Sequence, residues 1–120
     1  MAPSRLVECG DGLAFLRRGR LPPGHALVTS LPDHSELPRL GVEKWRAGFV
    51  DTAAACCRAV DAAAVAIFYP TAVKHDGGWI DKGHLVQLGA ARAGRRLRWH
   101  KIVGRGPPGR SGAHPADLPA

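Results

Sequence analysis

Residues 25–33 read HALVTSLPD, and the fold turns on what they form. Ala26, Leu27 and Val28 make a short apolar run that predicts a buried strand, which breaks at Thr29-Ser30 into a polar, proline-containing turn. In an open parallel α/β sheet, ligands are held just beyond the carboxyl ends of the strands, where loops converge and helix N-termini point inward. Ser30, Pro32, Asp33, His34 and Glu36 fall in that position. The same Pro, Ser and Asp content also suits an ordinary strand-to-helix turn.

Downstream of the turn, residues 42–60 carry Val42, Trp45, Phe49, Ala53, Cys56 and Val60 at helical spacing, which predicts a long amphipathic helix. Residues 64–69, AVAIFY, are a continuous apolar run stopped by Pro70, the pattern of a central parallel strand covered on both faces. A loop over 71–79 and a helix over 81–93 follow. Residues 97–103, LRWHKIV, alternate as a further strand with Leu97, Trp99, Lys101 and Val103 on one face.

Upstream, residues 6–9 form a brief strand candidate, Asp11 is placed as an N-cap, and Leu13, Ala14 and Leu16 make a short amphipathic run. The alternation of strand and helix predicts an α/β domain over residues 1–103. It has a mostly parallel sheet of about four strands, right-handed crossovers and flanking helices. Residues 104–120 are rich in Gly and Pro and low in apolar residues, which predicts a basic, disordered tail.

A chain of 120 residues fits one domain with a modest core. It holds no apolar run long enough to span a bilayer and no signal-peptide core at its start, so a cytoplasmic, non-membrane protein is expected. Cys9, Cys56 and Cys57 form neither a disulfide framework nor a zinc pattern, and buried, reduced thiols are expected. The net charge of +7 is unevenly placed: from Lys82 to Arg110 eight basic residues occur and no acid. A one-signed segment of this kind suits a polyanion through counterion release, nucleic acid above all, and also suits a solubilising surface.

Gly104, Gly106 and Gly109 satisfy the G-x-G-x-x-G pattern, but the context excludes a dinucleotide site. Pro107 and Pro108 offer no N–H to a pyrophosphate, and no helix pattern follows them.

GDGLAFLRR at residues 10–18, followed by LPPGHALVTSLPD at 21–33, resembles the start of the circularly permuted, amino-directed (N4/N6) DNA methyltransferases. Those proteins carry a Gly-Asp, a short helix, a strand and then a Ser/Asp/Asn-Pro-Pro-Tyr turn. The stretch from Phe68 to Gly109 is similar to bacterial methyltransferases of that group, so the resemblance covers about residues 6–109. It implies a partial Rossmann-like methyltransferase sheet, S-adenosylmethionine as cofactor, Asp11 near its adenine, and a catalytic turn of Ser30, Leu31, Pro32 and Asp33 that holds the target amine.

Moving a methyl group to an exocyclic amine needs the nitrogen lone pair aimed along the breaking bond, and oxygens accepting from the amine hydrogens accomplish this. The chain departs from the motif at two positions, with Leu31 for the first proline and Asp33 for the aromatic that would grip a flipped base. In the permuted order the cofactor's Gly-rich loop follows the strands seen here, and these 120 residues do not contain it. A truncated product, inactive alone and able to associate through an exposed sheet edge, is therefore expected.

The remaining candidates are weaker. Lys74 and His75 are candidate nucleic-acid contacts placed to line the substrate mouth, and His75-Asp76 with His84 and His100 is too sparse for a metal signature. Arg95, Arg96, Arg98 and Arg105 are candidate nucleic-acid contacts; Trp79 and Trp99 could stack bases, but the expectation for both is burial. Two function classes follow: a methyltransferase-type enzyme acting on a nucleic-acid amine, and a non-catalytic basic module that binds nucleic acid.

Overall fold

Eighteen residues, Val42–Ala59, form the helix α2, and the rest of the fold is arranged around its apolar stripe. Trp45, Phe49, Val50, Ala53, Ala54, Cys56 and Cys57 are buried along it, as the helical spacing requires. The computed structural model describes residues 4–104. In chain order these are α1 (Gly12–Leu16), β1 (Leu27–Thr29), a single 3-10 turn (His34–Glu36), α2, β2 (Ala66–Phe68), β3 (Val73–His75), β4 (Gly78–Ile80) and α3 (Lys82–Arg92).

The second long helix, α3, packs on α2 at backbone distance. A Cβ added to Gly89 would lie 2.7 Å from the Val50 carbonyl oxygen and 2.9 Å from the Ala54 nitrogen, so only glycine admits this approach. Asp81 caps α3 by accepting from the His84 N–H at 3.3 Å. Gly94, with φ of 73°, ends the helix. The Arg95 N–H donates to Ala90 O at 2.8 Å and the Gly94 N–H to Ala91 O at 3.0 Å, the paired bonds of a Schellman stop.

The strands pair in two separate sheets of two. β1 and β2 are parallel, with Leu27, Val28 and Thr29 opposite Ala66, Ile67 and Phe68, and α2 lies in the connection between them. This βαβ unit agrees with the expected mixed helix-and-strand class. β3 and β4 form an antiparallel hairpin across residues read from sequence as a loop. Asp76 and Gly77 both have positive φ, 50° and 76°, which suits a tight two-residue hairpin turn.

Two expected strands are not formed. Residues 6–9 and 97–103 pair with nothing among the described residues, and Leu6, Leu97, Ile102 and Val103 are exposed. Alternation alone does not make a strand, because the backbone needs a ladder partner. Nor is the AVAIFY run the covered centre of a sheet: β2 is only half-buried throughout and Tyr69 is exposed.

The core lies instead between α2, α3 and the hairpin. Trp45, Phe49, Val50, Ile80 and Leu85 form it, with Leu31, Val42, Val73 and Val86 packed against it. Burial pushes the Cys56 thiol up to about 11, helped by the neighbouring Cys57 charge. Burial also raises Cys57, against the opposing pull of Arg95 and Arg58. Cys9, in contrast to the expectation of buried thiols, is exposed. No helix among the described residues is long and apolar enough to cross a membrane. The tail expected beyond Gly104, including Arg105, lies outside the described residues.

Candidate functional site

At the carboxyl end of β1 the ladder stops at Thr29, whose carbonyl accepts from the Tyr69 N–H at 3.1 Å. Ser30 is the next residue and is exposed. The chain then turns into the core side of the molecule. Leu31 packs against the core cluster, and the Pro32 carbonyl accepts a hydrogen bond from Trp45 Nε1 at 2.9 Å. Because Trp45 is itself buried at 2% exposure, this bond ties the turn to α2.

Asp33 is fixed from two directions. Its carboxylate Oδ2 lies 3.3 Å from Lys82 Nζ, and its N–H donates to Glu36 Oε2 at 2.7 Å. Lys82 is the only charged residue buried among the described residues, and its ammonium reaches Asp33 from the first turn of α3. Cations are disfavoured at a helix N-terminus, so a buried lysine there needs an anionic partner. Asp33 supplies it.

His34 follows with its ring edge-on to Trp45 at 5.6 Å and to His75 at 5.3 Å between centroids. The turn after β1, the end of β3 and the start of α3 therefore converge on Asp33, His34, His75 and Lys82. Two atoms in this cluster, Asp33 Oδ1 and His34 Nε2, are buried without a hydrogen-bond partner among the described residues. His75 Nε2 also faces Asp76 Oδ2 at 3.4 Å. No group of three or more His, Cys, Asp or Glu side chains among the described residues is arranged to hold a metal ion.

The candidate residues from sequence thus separate into three sets. Ser30, Leu31, Pro32 and Asp33 are contiguous, with Ser30 facing solvent and the other three anchored. Asp11 stands apart on α1, where its carboxylate caps the helix by accepting from the Leu13 N–H at 3.0 Å. Among the basic candidates, Arg95 is a clasp: its guanidinium donates to the Val60 carbonyl and to Asp61 O, closing the carboxyl end of α2. Arg96 and Arg98 are exposed, and Lys74 sits over the Trp79 ring with Nζ 5.1 Å from its centroid.

Lys82 is the site residue that sequence reasoning placed elsewhere, in the basic run, whereas Trp45 is buried on the helix stripe as expected and only its bond to Pro32 was not foreseen. Lys82 was detectable as a lysine directly after a capping aspartate, where the helix dipole opposes it.

Beside the turn lies an apolar depression of about 110 Å3, lined by Leu31, Pro32, Leu40, Trp45, Phe49 and Thr52, among others. Pockets for drug- or cofactor-sized ligands enclose roughly 300–1,000 Å3. The residues around this depression, apolar except for Thr52, do not fit S-adenosylmethionine, which needs carboxylate partners for its ribose and ammonium groups. No known family, curated protein or solved structure matches the chain.

Proposed function

We propose that the chain is the acceptor-binding part of a methyltransferase acting on a nucleic-acid exocyclic amine, with Ser30 at the point of contact. In this reading the cofactor is held by residues other than those lining the depression beside the turn. Within this reading β1 and β2 are neighbouring strands of a larger Rossmann-like parallel sheet. The observation that carries it is the contrast within one turn: Ser30 is exposed one residue past the β1 ladder, while Pro32 and Asp33 behind it are clamped by Trp45 and Lys82.

The chemistry of this turn is positioning. An exocyclic amine donates two hydrogens, and the Ser30 hydroxyl oxygen and the Leu31 carbonyl are the acceptors that the turn offers. Pro32 O already accepts from Trp45 Nε1, so it serves the turn more than the ligand. Asp33, neutralised by Lys82, fixes the turn's shape rather than moving a proton. Holding the nitrogen in one orientation is how such a site lowers a barrier.

The test is a pair of binding comparisons on the full chain. An oligonucleotide presenting one adenine between abasic sites should bind about fivefold tighter than one presenting purine, which lacks the amine, because a net hydrogen bond is worth about 1 kcal/mol. Cytosine against 2-pyrimidinone is the matching pair. Ser30→Ala should erase whichever preference is seen, and equal affinity in both pairs overturns the reading.

A second reading, a non-catalytic basic module, is favoured by the exposure of Arg96, Arg98 and Lys101 in a stretch without acids. Reversing the charges of Arg96, Arg98 and Lys101 should then lower nucleic-acid affinity and flatten its salt dependence by up to about 0.9 for each phosphate left unneutralised. Ser30→Ala should leave affinity unchanged.

A further inference from the structure

The three tryptophans are disposed in opposite ways. Trp45 is buried at 2% exposure, whereas Trp79 and Trp99, expected from sequence to be buried, are 68% and 56% exposed. Trp79 is on β4 directly across from Lys74, while its neighbour Ile80 on the other side of the strand enters the core. Trp99 stands between Arg98 and His100, with Lys101 Nζ 5.8 Å from its ring centroid. Each exposed indole is therefore paired with a lysine; the segment from Lys82 to Gly104, which holds Trp99, contains no acid, while Trp79 lies between Asp76 and Asp81 in the chain.

This pairing selects the partner by charge and by shape. Cations beside flat apolar rings match a ligand that alternates phosphates with aromatic faces. In a duplex those faces are hidden in the stack, and only unpaired bases present them. We infer that the chain binds single-stranded nucleic acid by stacking bases on Trp79 and Trp99, with Lys74, Arg96, Arg98 and Lys101 contacting phosphates. The inference rests on the nucleic-acid part of the reading above and is independent of amine recognition at Ser30.

The experiment is an intrinsic-fluorescence titration of the full chain with short oligo(dT), and with a blunt duplex of the same length. Thymine has no exocyclic amine, so the Ser30 turn does not contribute. Quenching by oligo(dT) is expected, since two of the three emitters are exposed. Trp79→Leu and Trp99→Leu should each weaken oligo(dT) binding roughly tenfold, with little effect on the duplex. Phenylalanine at either position should restore most of the loss.

Charge reversal at Arg96 and Arg98 should weaken both ligands. Read by the anisotropy of a labelled oligo(dT), since the double Trp→Leu variant retains only buried Trp45, an unchanged affinity in that variant overturns the stacking inference, as does duplex binding equal to that of the single strand. If the folded wild-type chain binds neither ligand, the inference falls together with the nucleic-acid part of the proposed function. Failure of the adenine–purine comparison alone leaves it standing.

Discussion

The α2–α3–hairpin region is less apolar in sequence than the β1–β2 pair, yet it is the more buried of the two. In the first, Trp45, Phe49, Val50, Ile80 and Leu85 are buried together, and Gly89 lets two helices meet at backbone contact. In the second, none of the six strand residues is buried, and Val28 is 70% exposed. Apolar residues become core only where another element covers them: the hairpin face with Val73 and Ile80 packs against the helices, whereas the residues of β1 and β2 are left half-buried or exposed. The Ser30 turn joins the regions: it continues from the open strand β1 but is fastened to the packed side through Trp45 and Lys82.

Truncating Trp45 attacks that fastening and the core at once. Trp45→Ala should cost about 4 kcal/mol in chemical denaturation, and Trp45→Phe less, since much of the ring volume is kept while the bond to Pro32 is removed. Asp33→Ala leaves the Lys82 ammonium buried without its anion. It should cost about 3 kcal/mol, and Lys82→Met in the same chain should recover much of that loss.

Gly89→Ala drives a methyl group into the Val50 carbonyl and should cost about 2 kcal/mol, read from the same denaturation curves. In the open region the effects should be small: Val28→Thr is expected to change stability by less than about 0.5 kcal/mol. A large loss there would show that the sheet face is covered after all.

The buried thiols sharpen the comparison through pH. Cys56 and Cys57 have folded values above the ordinary thiol value of 9.0, with Cys56 at about 11. Their contribution to stability is complete below 9.0 and is lost as pH rises towards about 11. The denaturation midpoint should therefore fall across that interval, and less steeply in a Cys56→Ala, Cys57→Ala variant. At neutral pH a thiol reagent should label exposed Cys9 promptly and reach Cys56 and Cys57 only on unfolding.

The long elements were legible because each carries its own signal. α2 was expected over 42–60 and forms over Val42–Ala59, and α3 was expected over 81–93 and forms over Lys82–Arg92. Asp11 caps α1 as its position suggested. The hairpin escaped because its arms are three residues each and Gly78 interrupts the alternation, although Asp76-Gly77 was the available turn signal.

Residues 97–103 misled in the opposite direction, since their period-two pattern has no strand to pair with among the described residues. At the site, the position of Ser30 after a strand was readable from sequence. The Asp33–Lys82 ion pair was not, because it joins residues far apart in the chain through the packing of α3.

The central claim is that an exposed Ser30 is carried on a turn held rigid by the packed region, and amide hydrogen exchange tests it most directly. The N–H groups of Asp33, Glu36 and Leu37 are hydrogen-bonded within the turn, and the Trp45 indole N–H is bonded to Pro32. They should exchange with opening free energies approaching those of the middle of α2, while the amides of residues 97–103 exchange far faster. Turn amides exchanging as fast as residues 97–103 would contradict the account.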